Sequence, residues 1–402
     1  MRHPLVASIP RLPCFSGRLL VLLIPLIALI PAPLAAEDLR VQAEVESLLH
    51  LLRRDEGGMD STSAFRATVD LRSPPGQAVE GRIQLRFTLH DEHREEQNGE
   101  ASTDQVLTEL LRGYTRFRLP LGEKTSLRIT SGKDRLTWGA GALLNAGDLI
   151  FGADGTALVD LTTLGALRDE TAWLTAVFLP LGDLAYLEAA VLPPLEHSPG
   201  EHLPSRQGPE QTRAGFRLYR AGERLSLETS LLYQGEREET TAAVTIQGGA
   251  GSLDLYAAGQ VTLEDRPDET LRHGLEERSL MTLGSLWHLS PGFNRSLTLR
   301  VEALLFPGGA WTRAEDPQTA SYGIFLYPEL RFSPNRSLEL VSRSMISPVD
   351  SSAHLSGGVS WTIQSGLHLQ AFAGVQAGSS SSRYNQDQEG SLWFSAGCLY
   401  RF

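Results

Sequence analysis

From about residue 60 to the C-terminus, apolar and polar side chains alternate with a period of two. Phe65, Ala67, Val69 and Leu71 interleave with Arg66, Thr68, Asp70 and Arg72. Beyond a turn at Pro74, Pro75 and Gly76, Ile83, Leu85, Phe87 and Leu89 interleave with Arg82, Gln84, Arg86 and Thr88. Successive side chains of an extended chain point to opposite faces, so each segment carries one apolar and one polar face and reads as a strand. Similar segments recur near residues 113–119, 124–132, 172–180, 183–192, 212–220, 224–234, 240–248, 251–263, 278–289, 295–306, 320–332, 336–346, 353–363, 366–377 and 390–402. Most are about 8 to 13 residues long, near the span of a membrane strand tilted by about 45°. With the first two they make 17 strands, and single-chain bacterial barrels favour even numbers. Leu39–Leu52 is the candidate for a further strand, because Leu39, Val41, Ala43 and Val45 alternate. The run Leu48–Leu52 has helical character instead, which makes a short helix over 45–54 the competing expectation. The pattern therefore predicts 16 or 18 strands.

The connections between segments are of two kinds. Leu181–Gly182, Pro334–Asn335 and Gln364–Gly366 are short, whereas His197–Gln211, Glu264–Glu277 and Gly378–Gly390 are long and polar. Short turns on one rim and long loops on the other describe an up-and-down barrel of the outer-membrane kind. A soluble all-β fold shares the alternation, but about 17 strands in one soluble sheet would be unusual without splitting. The C-terminus weighs further against it: Leu392, Phe394, Ala396, Cys398, Tyr400 and Phe402 hold one face in unbroken alternation. This ending resembles the signal by which outer-membrane barrels are recognised by the barrel-insertion machinery, and the resemblance gives that role to Tyr400 and Phe402. The expected fold is all-β, a transmembrane antiparallel up-and-down barrel.

The first 36 residues differ from the rest. Arg2, Arg11 and Arg18 precede an apolar run, Leu19–Ile30, which small residues at Ala32, Ala35 and Ala36 close. That is the order of a secretory signal peptide, and the run falls short of the roughly 20 residues of a membrane-spanning helix. The chain thus divides into a signal peptide, 1–36, and one barrel domain, 37–402, destined for the outer membrane and its lipid. Cys14 leaves with the signal and Cys398 stays, so the mature chain has no intramolecular disulfide. Hydrophobic residues make up 41% of the chain, yet no later apolar stretch reaches the length of a helical span. The formal charge of −12 becomes more negative once the signal arginines are removed, which argues against a nucleic-acid partner.

Residues 125–148, TSLRITSGKDRLTWGAGALLNAGD, run from a strand into Gly132, Lys133 and Asp134, then Trp138 and Gly139, then a turn at Asn145, Gly147 and Asp148. The stretch resembles a segment of bacterial porin-like barrels in which a strand leads into a Gly-Arg-Gln-like triplet, then Trp-Gly, then an Asn-Pro-x-Asp turn. The hairpin Ala176–Pro194 fits the same group. Physically, Trp138 suits either an interfacial aromatic girdle or an inward fold, and Gly139 and Gly141 permit a sharp bend. Leu144–Arg168 lacks clean alternation, which leaves open a loop folded inside the barrel or an ordinary external one.

In a membrane barrel the polar face lines the lumen. Strand by strand it presents Arg66, Arg82, Arg86, Arg116, Arg118, Arg128, Arg217, Arg300, Arg331 and Arg343, together with Arg72, Asp70, Glu228, Glu302 and Glu339. Arginines lining a pore lower the barrier for anions; equally, arginines and acids can pair across the lumen and neutralise one another. The expected function is a porin-like channel for passive passage of small polar or anionic solutes, with a surface receptor or adhesin lacking an open pore as the alternative. No catalytic constellation, metal-ligand spacing or cofactor motif is recognisable. The cluster His90, Asp91, Glu92 and His93 reads as a solvated hairpin turn, and Asp154 and Gly155 lack the further ligands of a calcium loop. Two Asn-Arg-Ser triplets, at Asn294 and Asn335, read as turns.

Overall fold

A computed structural model describes residues 39–53, 59–96, 99–122, 125–153, 168, 170–194, 211–264, 271–315, 320–379, 382–385 and 392–402. The signal segment 1–36, Asp154 and most of the loop His197–Gln211 lie outside the described residues. The strands are β1 (Arg40–Arg53), β2 (Met59–Arg72), β3 (Val79–Glu96), β4 (Gly99–Pro120), β5 (Ser126–Asp134), β6 (Ala172–Pro180), β7 (Ala185–Leu192), β8 (Arg213–Ala221) and β9 (Leu225–Gln234). They continue as β10 (Glu239–Ala250), β11 (Leu253–Glu264), β12 (Ser279–Gly292), β13 (Arg295–Leu305), β14 (Ile324–Ser333), β15 (Leu338–Ser347), β16 (Ser352–Gln364), β17 (Leu367–Ala377) and β18 (Leu392–Arg401). A short helix, α1 (Leu271–Glu277), sits in the connection between β11 and β12.

Each strand pairs with its sequence neighbour, and β18 returns to pair antiparallel with β1, so the 18-stranded sheet closes on itself. Closure removes the edges that would otherwise expose unpaired backbone groups. The terminus takes part: Phe402 donates its N–H to Ala43 O at 2.9 Å and accepts from Ala43 N–H at 3.2 Å. Tyr400 and Phe402 point outward and meet edge to face, with ring centroids 4.9 Å apart.

Three sequence expectations change. Residues 45–53 are not a helix: β1 is extended throughout because it must supply backbone partners to β18 on one side and β2 on the other, and residue 54 lies outside the described residues. β4 begins well before residue 113; its first half, 99–110, escapes the alternation because polar residues occupy both of its phases, and a bulge separates it from the second half. Gln84 faces Arg112 while Leu85 faces Leu110, which leaves Leu111 extra and shifts the phase of inward and outward positions. His90–His93 lies within β3 rather than in a turn, since β3 continues to Glu96.

On the rim that holds the C-terminus, successive strands join through short connections such as 181–184, 251–252, 293–294 and 365–366. The opposite rim carries the long ones, 135–171, 193–212, 265–278, 306–323 and 378–391. Across the wall, the polarity of an ordinary globule is reversed. Phe117, Phe216, Ile246, Leu255, Leu283, Val301, Leu330, Trp361 and Phe394 are exposed, while Asp70, Glu80, Glu188, Thr245, Glu302, Glu329, Arg343 and Ser395 are buried. An apolar outer face and a charged inner face are mutually consistent only where the outside solvent is hydrocarbon and the inside is wet or polar.

Closure is testable through Cys398, which stands opposite Ser47 across the β1–β18 seam. Directly opposed residues in an antiparallel pair lie within disulfide reach. A Ser47→Cys variant is expected to form an intramolecular disulfide under mild oxidation, read as a loss of two hydrogen atoms in intact mass, their electrons passing to the oxidant. Two thiols that stay free while the barrel remains folded would contradict the register.

Candidate functional site

Inside the barrel, residues 135–153 leave β5 and pack against the inner wall. Trp138, Leu149 and Ile150 join Leu174 on β6, Leu192 on β7, Leu232 on β9 and Ala243 on β10 in one buried cluster. Leu143, Leu144 and Ala146 join Ala258 on β11, Leu304 on β13, Phe325 and Tyr327 on β14, and Met345 on β15 in a second. The apolar interruptions of the polar inward face on these strands thus have a purpose: they receive the loop.

Irregular backbone in such a place must find partners for its N–H groups. Glu302 on β13, fully buried, accepts from three consecutive amides: Ala142 at 2.7 Å, Leu143 at 2.9 Å and Leu144 at 2.8 Å. The Tyr256 hydroxyl also donates to Glu302, reaching across β12 in the register Tyr256, Gly284, Glu302. A Cβ at Gly284 would collide with the Tyr256 ring, so only glycine leaves that path open. Further along, Ala146 N–H donates to Thr282 Oγ1 at 2.8 Å and Gly139 N–H to Glu228 Oε1 at 2.7 Å. Trp138 is buried inward, not in a girdle, and its indole donates to Glu188 Oε2 at 3.2 Å.

The remaining motif residues brace the loop from within. Gly139 has φ +75°, a conformation open to glycine, and a Cβ there would strike Asn145 and Gly147. Asn145 Nδ2 donates to Trp138 O at 2.9 Å and its Oδ1 accepts from Gly147 N–H at 3.0 Å, which closes the bend. Asp148 accepts the amides of Ile150 and Phe151 and lies 3.4 Å from Arg168. Arg168 in turn donates to Gly152 O at 2.9 Å and Glu170 at 2.9 Å.

The ten arginines singled out in the sequence all sit on strands, and the structure pairs nine of them with carboxylates. Arg66 meets Glu46 at 3.3 Å, Arg82 meets Asp70 at 2.6 Å and Arg86 lies 4.0 Å from Glu109. Arg118 meets Glu80 at 2.9 Å, while Arg116 lies 3.6 Å from Glu80 and 3.7 Å from Asp134. Arg217 bridges Glu188 at 2.8 Å and Glu228 at 3.3 Å. Arg300, Arg331 and Arg343 converge on Glu329, at 3.1, 3.1 and 2.8 Å, and the Tyr327 hydroxyl completes its shell. Arg128 alone of the ten has no carboxylate within ion-pair distance among the described residues; its guanidinium lies 4.3 Å above the Phe178 ring and directly opposite Arg118 across the β4–β5 pair. Phe178 continues into a row of rings, with Tyr186 at 4.8 Å and Tyr219 a further 4.9 Å on.

Glu46, Glu80, Glu109, Asp134, Glu188 and Glu329 are thus the partners that the reading of the sequence missed. Each occupies the polar phase of its own strand; what one strand cannot show is which position on its neighbour lies opposite.

A closed, sequentially paired 18-stranded barrel with a charged interior and a connection packed against its inner wall defines the class: a large up-and-down β-barrel. Among solved structures the chain is similar to Pseudomonas aeruginosa OccK5 (OpdH), with a TM-score of 0.53 at 10% identity over 91% of this chain and 98% of that one. It is similar to OccK7 (OpdD) of the same organism, with a TM-score of 0.52 at 11% identity over 91% of this chain and 99% of that one. It is also similar to P. aeruginosa OccK1 (OpdK), with a TM-score of 0.52 at 13% identity over 91% of this chain and 99% of that one. These likenesses show a shared fold. No family model and no curated protein sequence matches the chain.

Burial in the loop pushes the Asp148 carboxyl up to about 6, from 3.8, against the opposing pull of Arg168 and the two amides. A carboxyl raised on folding stabilises the fold fully below its unfolded value and loses that contribution as pH rises through the folded one. The shift corresponds to roughly 3 kcal/mol at most. The barrel is therefore expected to lose thermal stability between about pH 4 and pH 7, and Asp148→Asn should flatten that decline. Identical slopes in the two proteins would contradict the assignment.

Proposed function

We propose that this chain is a passive channel of the outer membrane for small polar or anionic solutes. The reversed polarity of the wall carries the membrane assignment, and the fold shared with the OccK barrels supports it. Export through the signal peptide 1–36 and insertion guided by the outward-facing Tyr400 and Phe402 belong to the same reading. The inward-facing arginines line the path, and the described part of the loop after Leu144, up to Ala153, narrows it, with Trp138, Gly139, Asn145 and Asp148 fixing its shape; residues 154–167 of the expected inward loop lie outside the described residues.

The observation that carries solute preference is Arg128. Nine of the ten arginines are ion-paired with adjacent acids, so a general ring of open positive charge does not govern the lumen. Arg128 keeps an uncompensated charge beside Arg118, whose Nε is buried without a hydrogen-bond partner among the described residues. A passing anion therefore meets local attraction on β4 and β5 without having to break an ion pair there.

Reconstitution of the mature chain in planar bilayers tests both parts. Ohmic conductance with a modest anion preference is expected, and Arg128→Glu should lower the anion-to-cation permeability ratio by about five-fold, as expected for a charge interaction of about 1 kcal/mol in a wet pore. A folded protein that passes no current would overturn the channel in favour of a closed receptor. An unchanged ratio in the variant would overturn the role of Arg128.

A further inference from the structure

The two Asn-Arg-Ser triplets, far apart in sequence, come together at the C-terminal rim. Asn294-Arg295-Ser296 turns β12 into β13, and Asn335-Arg336-Ser337 turns β14 into β15. The pairing of β13 with β14, which sets Ser296 opposite Ser333, brings the two turns side by side. They are joined directly: Arg336 Nε donates to Asn294 Oδ1 at 2.6 Å, and the Arg336 guanidinium lies 5.8 Å from the Phe293 ring. Asn335 caps its own turn, accepting from Ser337 N–H at 2.8 Å and Leu338 N–H at 2.9 Å.

Between the turns and the neighbouring strands lies a cavity of about 400 Å³. Arg295 and Arg336 both line it, as do the hydroxyls of Ser296, Ser337 and Thr362, and His368. His368 Nδ1 lies 3.0 Å from Thr362 Oγ1, which ties the far wall together. Glu339 also lines the cavity, but Arg331 stands 3.6 Å from it and offsets its charge. Neither Arg295 nor Arg336 has a carboxylate partner among the described residues, and the contacts of Arg336 leave both its Nη groups free.

We propose that the paired Asn-Arg-Ser turns form a binding site for a phosphate group at this mouth of the barrel. Two guanidiniums suit the charge of a phosphate, about −1.5 to −2 at neutral pH, whereas a lone carboxylate is satisfied by one bidentate arginine. The surrounding serine and threonine hydroxyls each rotate to donate, which suits an anion with acceptors distributed tetrahedrally rather than in one plane. Asn294 and Phe293 hold Arg336 in place, so little side-chain freedom remains to be lost when an anion binds.

Binding does not depend on conduction, so the two readings fail separately. Titration of the detergent-solubilised barrel with inorganic phosphate, at constant ionic strength in chloride, should show one saturable site by calorimetry or by ³¹P line broadening. The double variant Arg295→Gln/Arg336→Gln is expected to weaken binding by about tenfold or more while leaving the heat-modifiable gel mobility unchanged. No saturable binding, or equal binding by the double variant, would overturn the site, as would equal competition by the same concentration of nitrate. Repeating the titration in nanodiscs of phosphatidylglycerol separates the sources. Retained binding assigns the site to soluble phosphates, and loss of binding assigns it to a lipid headgroup. A barrel that binds phosphate but carries no current overturns the channel and leaves this site standing.

Discussion

One buried carboxylate makes the interior of this barrel workable. Backbone that is neither helix nor strand can be buried only if its N–H groups find acceptors, and each one left unsatisfied costs about 1–3 kcal/mol. Glu302 satisfies three in succession and receives the Tyr256 hydroxyl as well. With those donors around it, the carboxylate is itself compensated, which a buried charge requires. The loop and its acid therefore depend on each other, and both depend on Gly284 for the space through which Tyr256 reaches.

The wall obeys the same rule at larger scale. Closing β18 onto β1 satisfies the backbone of both strands, and the alternation of side chains then sorts polarity to the two faces without further instruction. Inside, charges are compensated strand to strand: Asp70, Glu80 and Glu329 each hold two or more arginines. Glu188 shows the economy of the arrangement, since it anchors both Arg217 and the indole of Trp138 and so links wall to loop.

Most of the wall was legible in the sequence because period-two alternation is a local property. The strand at Ala172–Pro180 could be read to the residue. Reading faltered where the signal is not local. The leucines of β1 resembled a helix because only pairing with β2 and β18, at opposite ends of the chain, holds them extended. The first half of β4 was hidden because polar residues fill both of its phases, and one extra residue, Leu111, breaks its register with the second half. The arginines could be placed on the polar phase of their strands from sequence alone, but Glu329 can be matched to Arg300 and Arg343 only with β13, β14 and β15 in register. For the same reason the Asn-Arg-Ser triplets read as two separate turns, when in space they are neighbours.

Glu302 locks the loop after β5 inside the barrel, and amide hydrogen exchange in lipid tests this most directly. The amides of Ala142, Leu143 and Leu144 should exchange as slowly as those of β13, and Glu302→Ala should release these three while the strand amides of β13 stay protected. Exchange of the three amides in the unaltered protein as fast as that of the exposed turn amide of Gly182 would contradict it.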